Sequence, residues 1–170
     1  MRRRLEDPLL ERFKRLTLQV ASKYNVKVLS IILYGSRAYG NPTPQSDYDF
    51  FILLDETSLL RFTQFTGELR LRAQRLDSLD RIKVYANTLK NFRRILKGNP
   101  LLGAFAYVVA TMGVAIYDPK GAFRRLRKAV EALPPKEHAK HVKRCLEASR
   151  KLGSEKWVKY WAEKLKRLQA

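Results

Sequence analysis

The sequence predicts an α/β (α+β) fold: a mixed sheet of about four strands flanked by helices, followed by a C-terminal helical extension. Three observations predict it. Residues 26–34, 48–54, 81–86 and 114–117 are short runs rich in β-branched and aromatic residues, of strand length. The segments between them repeat their apolar residues at helical spacing. After residue 117 no strand-like run follows, and the apolar period stays helical to the end.

The elements follow in order. Leu9, Leu10, Phe13, Leu16 and Val20 recur at helical spacing and predict a helix over 8–23. Residues 26–34 form a dense apolar run closed by Gly35, which reads as a buried strand. A short helix is expected from 36–40, then a rigid loop at Gly40-Asn41-Pro42-Thr43-Pro44. The second strand, 48–54, alternates so that Tyr48, Phe50 and Ile52 face the core. Residues 57–76 read as one long amphipathic helix carrying Leu59, Leu60, Phe62, Phe65, Leu69 and Leu76. The third strand is 81–86. Thr88 then caps a helix through Ile95 and Leu96 that stops at Gly98-Asn99-Pro100. Residues 101–111 form an apolar helix and 114–117 the fourth strand, before an Asp118-Pro119-Lys120-Gly121 turn. Helices at 122–133, 136–152 and 155–169 are split by Pro134-Pro135 and Gly153-Ser154. Element order leaves parallel and antiparallel strand pairing open. The division is a core domain of residues 1–120 and a basic helical extension of residues 121–170.

Composition narrows the function classes. The chain has 170 residues, of which 45% are hydrophobic and 30% charged, so it can bury a core and needs no membrane. The basic start, Met1-Arg2-Arg3-Arg4, is followed by Glu6, Asp7 and Pro8 rather than an apolar run, unlike a secretory signal. A single cysteine, Cys145, excludes an internal disulfide framework, and a reducing cytoplasmic setting is expected. Lys and Arg number 35 against 16 Asp and Glu, a net charge of +19. Such a field favours nucleotides, RNA or an acidic partner. A thermally hardened surface is the bland alternative, but it needs mixed charge rather than one sign.

The segment Leu33–Leu54 carries the chemistry. A Gly35-Ser36 pair closes one strand, and after ten residues Asp47-Tyr48-Asp49 opens the next. Glycine permits a tight turn and close approach to a ligand. A hydroxyl and free amides at the start of a short helix suit phosphate. Arg37 could add its charge to the same phosphates or lie outside. Asp47 and Asp49, two apart on a strand, point the same way and repel unless a cation lies between them. Mg²⁺, or Mn²⁺, is such a cation, and it prefers one or two carboxylates plus phosphate oxygens.

Gly35-Ser36-Arg37-Ala38-Tyr39-Gly40 and Ser46-Asp47-Tyr48-Asp49-Phe50 resemble, nearly position by position, the signature of the polymerase-β-like nucleotidyltransferases. The match is closest to the minimal nucleotidyltransferase domains of archaea and bacteria. Gly113 through Asp118 is similar to a second, weaker segment of those domains, and the resemblance spans about residues 10–120. It implies a mixed sheet flanked by helices, Gly35 and Ser36 on the triphosphate, and Asp47 and Asp49 on divalent metal. It also implies a third carboxylate on the next strand. That position falls on Lys83, with Asp80 reaching it only through a bulge. The expected set is therefore Asp47, Asp49 and Asp80 for catalysis, and Gly35, Ser36, Arg37 and Lys83 toward a nucleoside triphosphate. Lys83 would face the metal site while Ile82 and Val84 face the core.

From residue 119 onward, 16 Lys and Arg stand against five Glu. Trp157, Trp161, Leu165 and Leu168 form an apolar stripe that reads as core or as a partner interface, so an oligomer through this tail is one expectation. His138, His141 and Cys145 share one helical face but lack a fourth metal ligand, and packing explains them better. The function expected is transfer of a nucleoside monophosphate from a triphosphate to a hydroxyl acceptor on RNA, protein or a small molecule. The alternatives are a catalytically weakened nucleotide- or RNA-binding module and an antitoxin-type partner of a helical protein.

Overall fold

The computed structural model describes residues 7–169. It contains eight α-helices and one four-stranded sheet among those residues. In chain order they are α1 (Pro8–Lys23), β1 (Val28–Tyr34), α2 (Ser36–Tyr39), β2 (Tyr48–Leu54), α3 (Leu59–Ala73), β3 (Ile82–Thr88), α4 (Leu89–Gly98), α5 (Pro100–Met112), β4 (Val114–Tyr117), α6 (Ala122–Glu131), α7 (Pro135–Lys151) and α8 (Glu155–Gln169). The expected mixed sheet with a helical C-terminal region is therefore what the chain forms. Two compact units divide it: the described residues through Asn91 with Met112–Arg125, and Phe92–Thr111 with residues 126–169.

The first unit holds the sheet, in the order β3-β2-β1-β4. β1 lies antiparallel to both β2 and β4, and β2 lies parallel to β3. One sheet face carries Ile31, Leu33, Phe50, Ile52, Leu54, Ile82 and Val84 into a core completed by Phe13, Leu16 and Val20 of α1 and Phe65 and Leu69 of α3. Phe13 and Phe50 are fully buried, and their rings stack with centroids 3.7 Å apart and planes at 8°. α1 begins where Asp7 caps the Leu9 amide at 2.9 Å, with Pro8 in the first turn, where its missing N–H costs nothing. α4 begins where the Thr88 hydroxyl accepts from the Asn91 amide at 3.2 Å, the cap read from the sequence.

One detail departs from the sequence reading. The 57–76 segment is not one helix: Ser58 caps α3, and Gln74–Leu76 tightens into a 3₁₀ turn. Leu59 and Leu60 are 80% and 68% exposed, so the first turn of α3 stands clear of the core that Phe65 and Leu69 enter. The Gly113–Asp118 segment has a structural job. The carboxylate of Asp118 accepts from the fully buried Ser30 hydroxyl at 2.6 Å and from the Phe123 and Arg124 amides at 3.1 Å, tying β1 to the start of α6.

The second unit is helical. Phe92, Leu96, Tyr107, Val109, Leu126, Val130, Val142, Leu146 and Trp161 are buried in it. Tyr107 hydrogen-bonds His138 Nδ1 at 2.9 Å and stacks on the His141 ring at 4.8 Å. Cys145 is buried, with its thiol pushed up to about 12 by burial. The two histidines and the cysteine thus serve packing, and among the described residues no group of three His, Cys, Asp or Glu is arranged to hold a metal. No single described helix is long and apolar enough to cross a membrane.

The Phe13–Phe50 pair joins α1 to the central strand. Phe13→Ala is expected to cost about 3–5 kcal/mol, read as a lowered urea midpoint with an unchanged slope.

Candidate active site

The site begins at the end of β1. Gly35 takes φ 69°, a left-handed conformation that disfavours a side chain. The single turn of α2 follows, its first bonds running from the Ala38 and Tyr39 amides to the Gly35 carbonyl at 3.1 and 3.2 Å. The Ser36 and Arg37 amides precede these bonds. Gly40 closes the turn against Ser36, whose Cα would lie 2.9 Å from a Cβ there.

The loop from Asn41 to Asp47 is held by two guanidiniums. Arg37 donates through Nε and Nη2 to the Ser46 carbonyl at 3.1 and 2.8 Å, and its Nη2 reaches the Thr43 and Pro44 carbonyls at 3.4 Å. Its guanidinium lies 3.7 Å from the Tyr48 ring centroid. Arg81 donates to the Pro44 carbonyl and grips both oxygens of Asp77, at 2.9 Å from Nε and 2.6 Å from Nη2. That hydrogen bonding holds the Asp77 carboxyl down at about 2. Tyr48, between loop and strand, donates its hydroxyl to Asp7 at 2.6 Å. Arg37 therefore braces the loop that delivers Asp47, a use that the bare charge in the sequence did not reveal. The Asp77–Arg81 pair was also missed, although its i,i+4 spacing was a signal.

Asp47 is exposed just ahead of β2, and Asp49 is partly buried one residue into it. Tyr48 and Phe50, between and after them, are buried in the core, so the alternation read from the sequence holds. Asp49 pairs with Tyr34 of β1 on one side and with Lys83 of β3 on the other. Its carboxylate lies against the backbone of Gly35: a Cβ there would sit 2.2 Å from Asp49 Oδ2. Burial first, and the charge of Asp47 second, push the Asp49 carboxyl up to about 6, with Lys83 opposing them. The neighbouring Tyr34 hydroxyl is pushed up as well, by burial and then by Asp49. Tyr34 was not singled out from sequence, and its only signal was its place directly before Gly35.

Lys83 is exposed, on the face opposite Ile82 and Val84, and donates from Nζ to the Asp80 carbonyl at 3.3 Å. Asp80 sits in the turn ahead of β3 with φ 51°. Gly35, Ser36, Asp47, Asp49 and Lys83 thus gather about the C-terminal end of β1 and the starts of β2 and β3. Asp80 adds no third carboxylate to a metal-holding group with Asp47 and Asp49. The donor set fits a divalent cation in its chemistry: two carboxylates two residues apart, one of them held against its charge by the other.

The family described as polymerase beta, nucleotidyltransferase, matches residues 17–103, just over half of the chain and the whole of this site. No curated protein matches. Among solved structures, a toxin–antitoxin with AMP-PNP is 16% identical, with 69% of this chain and 83% of that one covered and a TM-score of 0.44. A mutant of the toxin–antitoxin MntA–HpeT is also 16% identical, with 68% and 81% covered and a TM-score of 0.42.

The raised Asp49 carboxyl makes stability depend on pH. Its folded value of about 6 exceeds the unfolded one, so the folded chain holds the proton more tightly. The ionised form therefore costs nothing below about pH 4, costs increasingly between about pH 4 and 6, and costs its full amount above. With chelator present, Asp49→Asn is expected to stabilise the fold at about pH 8 by about 1–2 kcal/mol, after allowance for solvent screening, and to change nothing near pH 4. Urea unfolding at the two pH values measures it.

Proposed function

The chain belongs to the polymerase beta nucleotidyltransferase family, and from that premise we propose that it binds a nucleoside triphosphate with a divalent cation and transfers a nucleoside monophosphate to a hydroxyl acceptor. The observation that carries the reading is the contact of the Asp49 carboxylate with the Gly35 backbone, with burial first and then Asp47, two residues away, raising its proton affinity. A cation-seeking pair and a phosphate-suited turn meet at one point.

Asp47 and Asp49 would hold Mg²⁺ or Mn²⁺. When bound, such an ion neutralises charge on the phosphates as the transferred group departs. Gly35, having no side chain, leaves room for both the carboxylate and a phosphate beside it. The Ser36 hydroxyl and the amides of Ser36 and Arg37 donate to phosphate oxygens. Arg37 acts through the loop: its bonds to the Ser46 carbonyl fix where Asp47 enters. The Lys83 ammonium, in register with Asp49, attracts phosphate and weakens cation binding at once. The acceptor is a hydroxyl of RNA, protein or a small molecule, and the +19 charge suits a polyanionic one.

One observation favours a weakened enzyme as the second reading. Lys83 occupies the register position beside Asp49, and no third acidic residue joins the pair among the described residues. The acceptor hydroxyl then lacks a dedicated base, so nucleotide binding outlasts rapid transfer.

Two measurements check this. Calorimetry of ATP binding is expected to show affinity that drops when Mg²⁺ is replaced by chelator, and Asp47→Asn or Asp49→Asn is expected to remove most of that difference. Equal affinity with and without metal in the native chain would refute the cation role.

Transfer of label from a triphosphate is expected to be slow in the native chain and faster in Lys83→Asp, which adds a carboxylate and removes a competing cation. Asp80→Asn is expected to leave the native rate unchanged. A rate that falls in Lys83→Asp and vanishes in Asp80→Asn would assign the base to Asp80 instead.

A further inference from the structure

We infer that the helical unit holds a second ligand site, separate from the carboxylate pair, which takes a small phosphate monoester with an apolar body. It is a cavity of about 580 Å³ between α4, α6 and α7, within the size range of small-molecule sites. Its floor is apolar and buried: Leu96 of α4 with Leu126 and Val130 of α6. Its rim is cationic: Arg93 and Lys97 of α4, and Lys140 and Arg144 of α7. Glu137 is the one carboxylate lining it, and it is engaged by Lys140 at 3.0 Å. Among the described residues no carboxylate pairs with Arg93, Lys97 or Arg144.

The second observation lies in the wall. His141 is only 6% exposed and lines this cavity, yet its Nδ1 has no hydrogen-bond partner. That nitrogen is itself sealed from solvent, so it presents no donor to the cavity, and the ring, stacked on Tyr107 at 4.8 Å with planes at 7°, forms a packed wall. Burial, and then Arg144, hold the His141 imidazole below its ordinary pKa, so it stays neutral and adds nothing to the charge of the rim.

The charge balance selects the ligand class. Four cations face one carboxylate, an excess of three. A carboxylate ligand would cancel one of these charges, whereas a phosphate monoester carries about two and offers three oxygens. Two of the four cations are arginines, whose planar forks match phosphate. The buried leucines and valine require that the remainder of the ligand be apolar enough to cover them. Inorganic phosphate alone would leave them wet.

AMP serves as the probe, titrated calorimetrically into the full chain in chelator and low salt. One saturable site is expected, weakened about tenfold or more in Arg93→Gln/Lys97→Gln. It is expected to persist in Asp47→Asn/Asp49→Asn. Both rim residues are exposed, so their substitution leaves the buried core intact. Four results would each overturn the proposal. They are no saturable AMP binding at millimolar concentration, affinity unmoved by the rim substitutions, AMP binding lost with the aspartates, and inorganic phosphate binding as tightly as AMP. A single-stranded RNA oligomer bound far more tightly than AMP, and released by the same rim substitutions, would also overturn it by assigning the groove to a polyanion.

Discussion

The contact between Gly35 and Asp49 constrains everything around it. β1 and β2 run antiparallel with Tyr34 opposite Asp49, so the residue after Tyr34 must pass beside that carboxylate. Any Cβ there would fall 2.2 Å from Oδ2, far inside van der Waals contact, and the φ of 69° independently disfavours a side chain. Only glycine meets both demands. The consequence reaches outward. The carboxylate is partly stripped of water and raised to about 6, while the chain on the other side of Gly35 is freed to turn into α2. The strain of one side of the site and the openness of the other come from the same missing side chain.

The loop between α2 and β2 shows how a short, rigid sequence is converted into a fixed position for a charge. Its prolines restrict the backbone, but the carbonyls of Thr43, Pro44 and Ser46 need donors. Arg37 and Arg81 supply them from opposite ends of the site, and both guanidiniums lie near the Tyr48 ring, at 3.7 and 5.5 Å. Tyr48 in turn is anchored through its hydroxyl to the cap residue of α1. The entry of Asp47 is thus referred to the helix that supplies Phe13 to the core, not to the loop alone.

Much of this was legible in the residues. β2 and β4 fell where alternation and a preceding glycine put them, and Thr88 announced the start of α4. The face of Asp47 and Asp49 followed from parity, and so did the side of β3 on which Lys83 stands. What was not legible depends on contacts distant in sequence. Period cannot say which turns of an amphipathic helix meet the core, so Leu59 and Leu60 read like Phe65 but lie in solvent. A long flexible cation can serve any acceptor within its reach, so Arg37 beside a phosphate-suited turn gave no hint of its carbonyl partners. The parallel pairing of β2 with β3 is a property of the connection through α3 and is written in neither strand. The cavity at His141 assembles residues from three helices, and spacing within any one of them reveals only packing.

The two sites answer the charge question in opposite ways. A chain with 35 Lys and Arg has no shortage of cations for its carboxylates, and elsewhere it uses them: Glu68 meets Lys23 and Arg72, Asp77 meets Arg81, Asp55 meets Lys27. Asp47 and Asp49 are withheld from such pairing, since Lys83 donates to the Asp80 carbonyl rather than to either of them. Around the helical cavity the sign is reversed: among the described residues no carboxylate pairs with Arg93, Lys97 or Arg144. Like charges left together cost free energy that ordinary surface pairing would remove. Where folding retains that cost in two places, with an excess of one sign in each, the missing counter-charge is best sought outside the chain: a cation for the aspartates and an anion for the helical groove.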